Sequence, residues 1–179
     1  RYAAVEGIEN PRPEMFTACV LHSDMRKTGE FHCSNEKVNQ LQSNISWSLR
    51  DNFFDIPSDC PQRDERLGWM GDAQVFSWTA AFNRETALFF TKWMRDVSAA
   101  SSLERGVPHI VPDIQETYSS AAWSDAAVII PWVVYQTYGD TRILEESWKC
   151  MHEWVDYIHN HVNENGLWMT NYQYGDWLA

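Results

Sequence analysis

From residue 34 onward, apolar side chains recur at steps of three and four, the spacing that lines one face of an α-helix. Ser34 or Asn35 is placed to cap a first helix, whose stripe is Val38, Leu41, Ile45 and Leu49 with polar residues between. A second helix is predicted from about Gly71 or Asp72 to Phe82, turning Val75, Phe76, Thr79 and Phe82 inward, with Asn83 as punctuation. A third runs from Arg84 to about Ala100 and carries Leu88, Phe89, Trp93 and Val97. The fourth, residues 122–138, is apolar nearly all round through Ala126, Val128, Ile129, Ile130, Trp132, Val133 and Val134, the pattern of a helix buried on every side. Pro131 should kink or interrupt it, because proline removes a hydrogen bond to the preceding turn. Asp140-Thr141 caps a fifth helix to about His161, amphipathic through Ile143, Leu144, Trp148, Met151, Val155 and Ile158. Alternation of buried and amphipathic helices predicts two layers, an inner and an outer ring, so the chain is expected to be mainly α, with the logic of an α/α barrel.

Before residue 34 the period differs. Residues 1–7 and 15–23 alternate loosely and hold β-formers, with Glu9-Asn10-Pro11-Arg12-Pro13 as a breaker, and Phe31-His32-Cys33 could add a third strand. Residues 1–33 are therefore expected to be trailing strands of a β-sandwich domain and a linker, and residues 34–179 an incomplete helical barrel. After the fifth helix, Asn163-Glu164-Asn165-Gly166 is a turn, and Leu167-Trp168-Met169 with Tyr172-Gln173-Tyr174 is short enough for a hairpin.

Composition narrows the chemistry. A net charge of -11 argues against a nucleic-acid surface, which needs a basic footprint, and suits neutral glycans better. The most apolar segment, residues 126–135, is far shorter than the roughly twenty residues a membrane span needs. No leader peptide is evident, and a chain opening at Arg1 reads as cut from something longer. Cys19, Cys33, Cys60 and Cys150 form no CxxC pair, so they are expected as buried free thiols. His152, Asp156 and His159 could share one face of the fifth helix as ligands, yet they fit its solvated side, so no metal or other cofactor is expected. The Asn44-Ile45-Ser46 sequon falls mid-helix and is taken as chance.

One stretch does not read as a folding element: Asp59-Cys60-Pro61-Gln62-Arg63-Asp64-Glu65-Arg66-Leu67-Gly68-Trp69-Met70-Gly71-Asp72. Four carboxylates and two guanidinium groups crowd a proline, two glycines and a tryptophan. Carboxylates held together repel, which raises the proton affinity of one of them, and indole beside carboxylates suits the two faces of a sugar. Glu65, with Asp64 beside it, is the candidate proton donor, while Arg63 and Arg66 are placed to keep other carboxylates ionised. The bland alternative is an exposed, salt-bridged helix start. Residues 106–113, a loop with Pro108, His109 and Pro112, are longer than a helical hairpin needs. His109 could face a sugar, although a loop histidine is more often simply exposed.

The spacing Asp59, Arg63, Glu65, Trp69, Asp72 closely resembles the signature of bacterial α-L-rhamnosidases of glycoside hydrolase family 78. The resemblance extends to residues 1–7 and 28–34, to Ser120-Ala121-Ala122-Trp123-Ser124-Asp125-Ala126-Ala127, and to Gly175-Asp176-Trp177. It implies an (α/α)6 barrel after a β-domain and an inverting glycosidase acting on terminal α-L-rhamnose. By this resemblance Glu65 stands in the general-acid position, with Asp59, Arg63, Trp69, Asp72, Trp123 and Trp177 contacting sugar. The general base would lie beyond Ala179, so this chain alone should be inactive and should need the remainder of its parent polypeptide. Two other readings stay open: an α/α glycosidase for another sugar, since fold does not fix substrate, and a non-catalytic helical binding scaffold. The latter calls for internal repeats, and the acidic motif occurs once. Nothing in the residues fixes a cellular compartment.

Overall fold

The computed structural model describes residues 3–177 and is built on five helices: α1 Glu36–Asn52, α2 Met70–Asn83, α3 Ala87–Ala100, α4 Ala126–Tyr138 and α5 Arg142–His161. Asn35 is the cap of α1, its side chain accepting from the Lys37 N–H at 3.0 Å. At the other end of the fold α4 stops at Gly139, whose φ of 68° is the left-handed conformation glycine reaches without penalty. The Asp140 carboxylate then accepts from both the backbone and the guanidinium of Arg142, starting α5. That contact draws the Asp140 pKa down.

The two layers expected from the alternating pattern are present. α2 packs against α4 and α3 against α5, while α4 also touches α3 and α5 and so joins the layers. Phe90, Trp93, Met94, Ile130, Val134 and Trp154 are fully enclosed between them. Helices of alternating burial, paired in this way, form part of an (α/α)6 barrel.

Several inward faces differ from the expected ones. In α2 the buried side chains are Met70, Ala73, Ser77, Ala80 and Ala81, whereas Val75 and Phe82 are 77% and 87% exposed. The buried face of α2 is therefore the one rich in small residues, which allow close helix packing, rather than the one with the largest side chains. α4 is enclosed on one broad face only, since Ile129 and Trp132 reach solvent, and it continues through Pro131 without a break. In α5 the buried stripe is Ile143, Ser147, Cys150 and Trp154, with Trp148 and Val155 outside. The stripe of α1 is enclosed only at its end, at Leu49, while Leu41 is exposed.

None of the three strands expected before α1 forms among the described residues, which hold one 3₁₀ turn at Pro13–Met15. The segment is held by other bonds: Ser23 N–H donates to Phe53 O, Thr28 N–H to Asn83 O, and Glu85 N–H to Arg26 O, strapping residues 23–28 to the ends of α1 and α2. Among the described residues the strands are β1 Phe53–Phe54 and β2 Ile56–Pro57, an antiparallel pair just after α1. Leu167-Trp168-Met169 and Tyr172-Gln173-Tyr174 do not pair as a hairpin; Trp168 instead bridges to Val162. All four cysteines are free, but only Cys150 is buried, and Cys19 is exposed. Among the described residues no helix is long and apolar enough to cross a membrane.

Candidate active site

Connections alternate in length. Residues 84–86 and 139–141 turn the chain tightly, whereas residues 53–69 and 101–125 are long, and in an up-and-down array these long segments share one end. They meet as backbone: Trp69 bridges to Ile110, Val111 N–H donates to Gly68 O at 2.9 Å, and Met70 N–H to His109 O at 2.9 Å. Gly68 is required by this approach, since a Cβ there would collide with the Val111 carbonyl oxygen.

The acidic stretch is a tight loop rather than a helix start. Asp59 N–H donates to Leu67 O at 2.8 Å, closing it, and Cys60 and Arg66 take left-handed φ values of 53° and 57°. Such non-glycine residues cost on the order of 1–3 kcal/mol each and persist where surrounding contacts impose them. The loop aims Glu65 inward. Its Oε2 accepts from Arg63 Nε and Nη2, each at 2.8 Å, and its Oε1 accepts from the Trp69 indole N–H at 2.8 Å. Arg63, which was expected to hold other carboxylates, therefore grips Glu65 itself, and this bond raises the Arg63 pKa. Asp64, expected to crowd Glu65, is fully exposed and pairs with Arg66 at 3.7 Å. The carboxylate beside Glu65 is that of Asp59, and the Cys60 thiol, which donates to Asp59 Oδ2 at 3.2 Å, completes a cluster within 4.8 Å.

Asp59 also lines a cavity of about 450 Å³, within the range of roughly 300–1,000 Å³ usual for small-molecule sites. Asp72, Trp123 and Trp177 line it too, with Phe53, Gly71 and Phe76. The Asp72 pKa is raised, first by desolvation at the cavity wall and then by the charges of Asp59 and Glu65. Gly71 lies under Trp123: a Cβ there would be 2.9 to 3.0 Å from three indole atoms. Of the seven residues singled out in the sequence, Asp59, Asp72, Trp123 and Trp177 thus share the cavity. Glu65, Arg63 and Trp69 form an adjoining hydrogen-bonded unit joined to it through Asp59.

Two further residues organise this wall. The Tyr174 ring lies 4.3 Å from Trp123 and meets the edges of Trp177 at 5.3 Å and Trp69 at 6.2 Å. Its hydroxyl is 3.1 Å from His109 Nδ1. His109 is buried rather than exposed, and burial pushes its pKa down. Tyr174 carried no signal beyond its nearness to Asp176-Trp177, because the expected hairpin gave it another task. Ser124 and Asp125 hold the Trp123 segment: Ser124 Oγ donates to Val107 O at 2.6 Å, and Asp125 accepts from the Ala122 N–H and from the indole of Trp154, at 2.8 and 2.9 Å. His152 pairs with Asp156 on the exposed face of α5, at 3.0 Å.

Two layers of helices thus carry, at their long-loop end, an acidic cavity walled by indoles. Residues 26–179 match the family described as the bacterial alpha-L-rhamnosidase 6 hairpin glycosidase domain, and the chain belongs to that family. An α-L-rhamnosidase of Formosa agariphila is 42% identical over 184 residues, covering 96% of this chain and 20% of that protein. The structure of the Streptomyces avermitilis α-L-rhamnosidase complexed with L-rhamnose superposes with a TM-score of 0.82 at 40% identity, over 88% of this chain and 15% of that one. The native α-L-rhamnosidase of Aspergillus terreus does so with a TM-score of 0.81 at 44% identity, over 88% and 18% respectively. The chain thus spans about 20% of the length of the curated Formosa relative.

Proposed function

We propose that the protein containing this chain removes terminal α-L-rhamnose from rhamnosides by an inverting acid and base mechanism, and that this chain holds the acid half. The observation that carries the reading is the position of Glu65, gripped by Arg63 and Trp69 and within 4.8 Å of the Asp59 that lines the cavity. Seated in that cavity, a sugar would lay its apolar face, including the methyl of a 6-deoxy ring, on Trp123 and Trp177 and offer hydroxyls to Asp59 and Asp72. Glu65 would take up a proton from solvent at Oε2 as Arg63 turns its donors from that oxygen to a sugar hydroxyl, and would pass the proton to the departing glycosidic oxygen. Inversion requires a second carboxylate roughly 6.5–9.5 Å away, with water between it and the anomeric carbon. We assign that base to a part of the parent polypeptide outside this chain. Residues 1–33 would be the trailing edge of a preceding β-domain, a division supported by the exposure of Val5, Ile8, Phe16 and Leu21.

The test is Glu65→Gln in the full-length protein, assayed on an alkyl and an aryl α-L-rhamnoside. A fall of about 10²- to 10⁴-fold in kcat is expected where the leaving group needs a proton. Activity like that of the wild type would end the acid assignment, and turnover of other aryl glycosides in preference to the rhamnoside would end the substrate assignment.

A further inference from the structure

We propose that Tyr174 is a positioning residue for the sugar-binding wall and that His109 is its anchor; the inference rests on the cavity being the sugar site. Tyr174 lies at the centre of the wall, with its ring on Trp123 and its edge contacts to Trp177 and Trp69. It belongs to the tail that follows α5. Among the described residues, side-chain hydrogen bonds tie residues 169–177 to the helical body at two points, Ala121 N–H to Gln173 Oε1 and Tyr174 Oη to His109 Nδ1. Only the second reaches the aromatic wall directly.

His109 is suited to hold it. Its backbone is fixed on both sides, the carbonyl accepting from Met70 N–H at the start of α2 and the N–H donating to Thr117 Oγ1 at 3.1 Å. Thr117 is itself held by Asp113, which pairs with Arg105 at 3.2 Å. His109 is 4% exposed, and burial lowers its pKa, favouring the neutral ring that can share one hydrogen with a phenol. Burial likewise raises the Tyr174 pKa, keeping the hydroxyl protonated. The hydrogen bond thus transfers the rigidity of the α2 start and the 105–117 loop to the tail carrying Trp177, while the tyrosine ring keeps Trp123 against Gly71.

The experiment uses the full-length protein carrying Tyr174→Phe, His109→Phe, or both. It measures kcat and KM on 4-nitrophenyl α-L-rhamnoside and the Kd of L-rhamnose by calorimetry. Losing one hydrogen bond corresponds to about fivefold in affinity. Each single variant is expected to raise KM and Kd by about that factor with kcat within about twofold, and the double variant to be no worse than either single, because both remove the same bond. A role confined to folding would lower kcat through the active fraction and leave KM and Kd alone. That result in Tyr174→Phe, which keeps the ring, would overturn the proposal, as would additive effects in the double variant. A wild type that binds L-rhamnose but does not turn over the substrate would sink the hydrolase reading alone, with Kd still deciding the wall. Failure of the wild type to bind L-rhamnose would sink both.

Discussion

Replacing Gly71 with alanine sets two opposed effects against each other at a known distance. Gly71 is the second residue of α2, and its φ is not left-handed, so alanine is free to take the helical backbone. In a helix interior that exchange would gain up to about 1 kcal/mol, and less in a first turn. Against it stands the new methyl, 2.9 Å from Cε2 and 3.0 Å from Cδ1 and Cδ2 of Trp123. Carbon atoms rest comfortably at about 3.5–4.0 Å, so the indole must retreat by roughly 0.5–1 Å. It has little room to do so, because Tyr174 lies 4.3 Å away on it. Overpacking of this kind costs about 1–3 kcal/mol, so a net loss of about 1 kcal/mol is expected, together with a raised KM as Trp123 leaves its place in the cavity wall. Thermal unfolding of the full-length protein and rhamnoside kinetics measure the two effects. A variant at least as stable as wild type with an unchanged KM would refute the reasoning, since the indole would then be free to swing aside without consequence.

Asp72 gives a pH prediction. Its pKa is raised above the ordinary 3.8 by burial and by Asp59 and Glu65, so its contribution to stability is complete below 3.8 and is lost as pH rises through the folded value. Asp72→Asn should flatten the unfolding midpoint against pH just above 3.8, and a steeper fall than in the wild type would contradict this. Asp125→Ala leaves the Trp154 indole N–H buried without its acceptor and should cost about 1–3 kcal/mol in chemical denaturation, with Asp125→Asn milder because an amide oxygen can still accept. Equal losses in the two variants would mean that the indole bond is not what matters. Gly68→Ala, whose methyl would meet the Val111 carbonyl oxygen, should part the two long loops and abolish activity with far less change in the circular dichroism of the helices. Residues 1–179 expressed alone should hydrolyse no aryl rhamnoside, and any turnover would place the base within them.

Much of the helical framework was legible from periodicity, because a three-and-four spacing of apolar residues is a local property. So were the alternation of helix types and the stretch from Asp59 to Asp72, whose density of charge has no use in a core. The buried faces were read less well. Val75 and Phe82 looked inward by size, yet it is Ala73, Ser77 and Ala80 that are buried. Strands were expected before α1 because β-formers alternate there, but alternation cannot supply a partner, and the described backbone pairs with residues 53 and 83–85 instead.

In the candidate site, chain order placed Asp59, Glu65, Trp69 and Asp72 near one another, and the charge-to-charge logic that singled out Glu65 followed from residue type. Which arginine grips which carboxylate did not follow: adjacent side chains on a tight loop can diverge, as Asp64 does into solvent while Glu65 turns inward. Tyr174 and His109 are separated by 65 residues and share no motif. By itself the sequence determined which segments coil and where charge accumulates, since both depend on neighbours a few bonds away. Only the tertiary structure decided which faces close, which indoles stand together and which histidine is buried. Those depend on surfaces brought into contact across the chain, where packing distance rather than residue type chooses the partner.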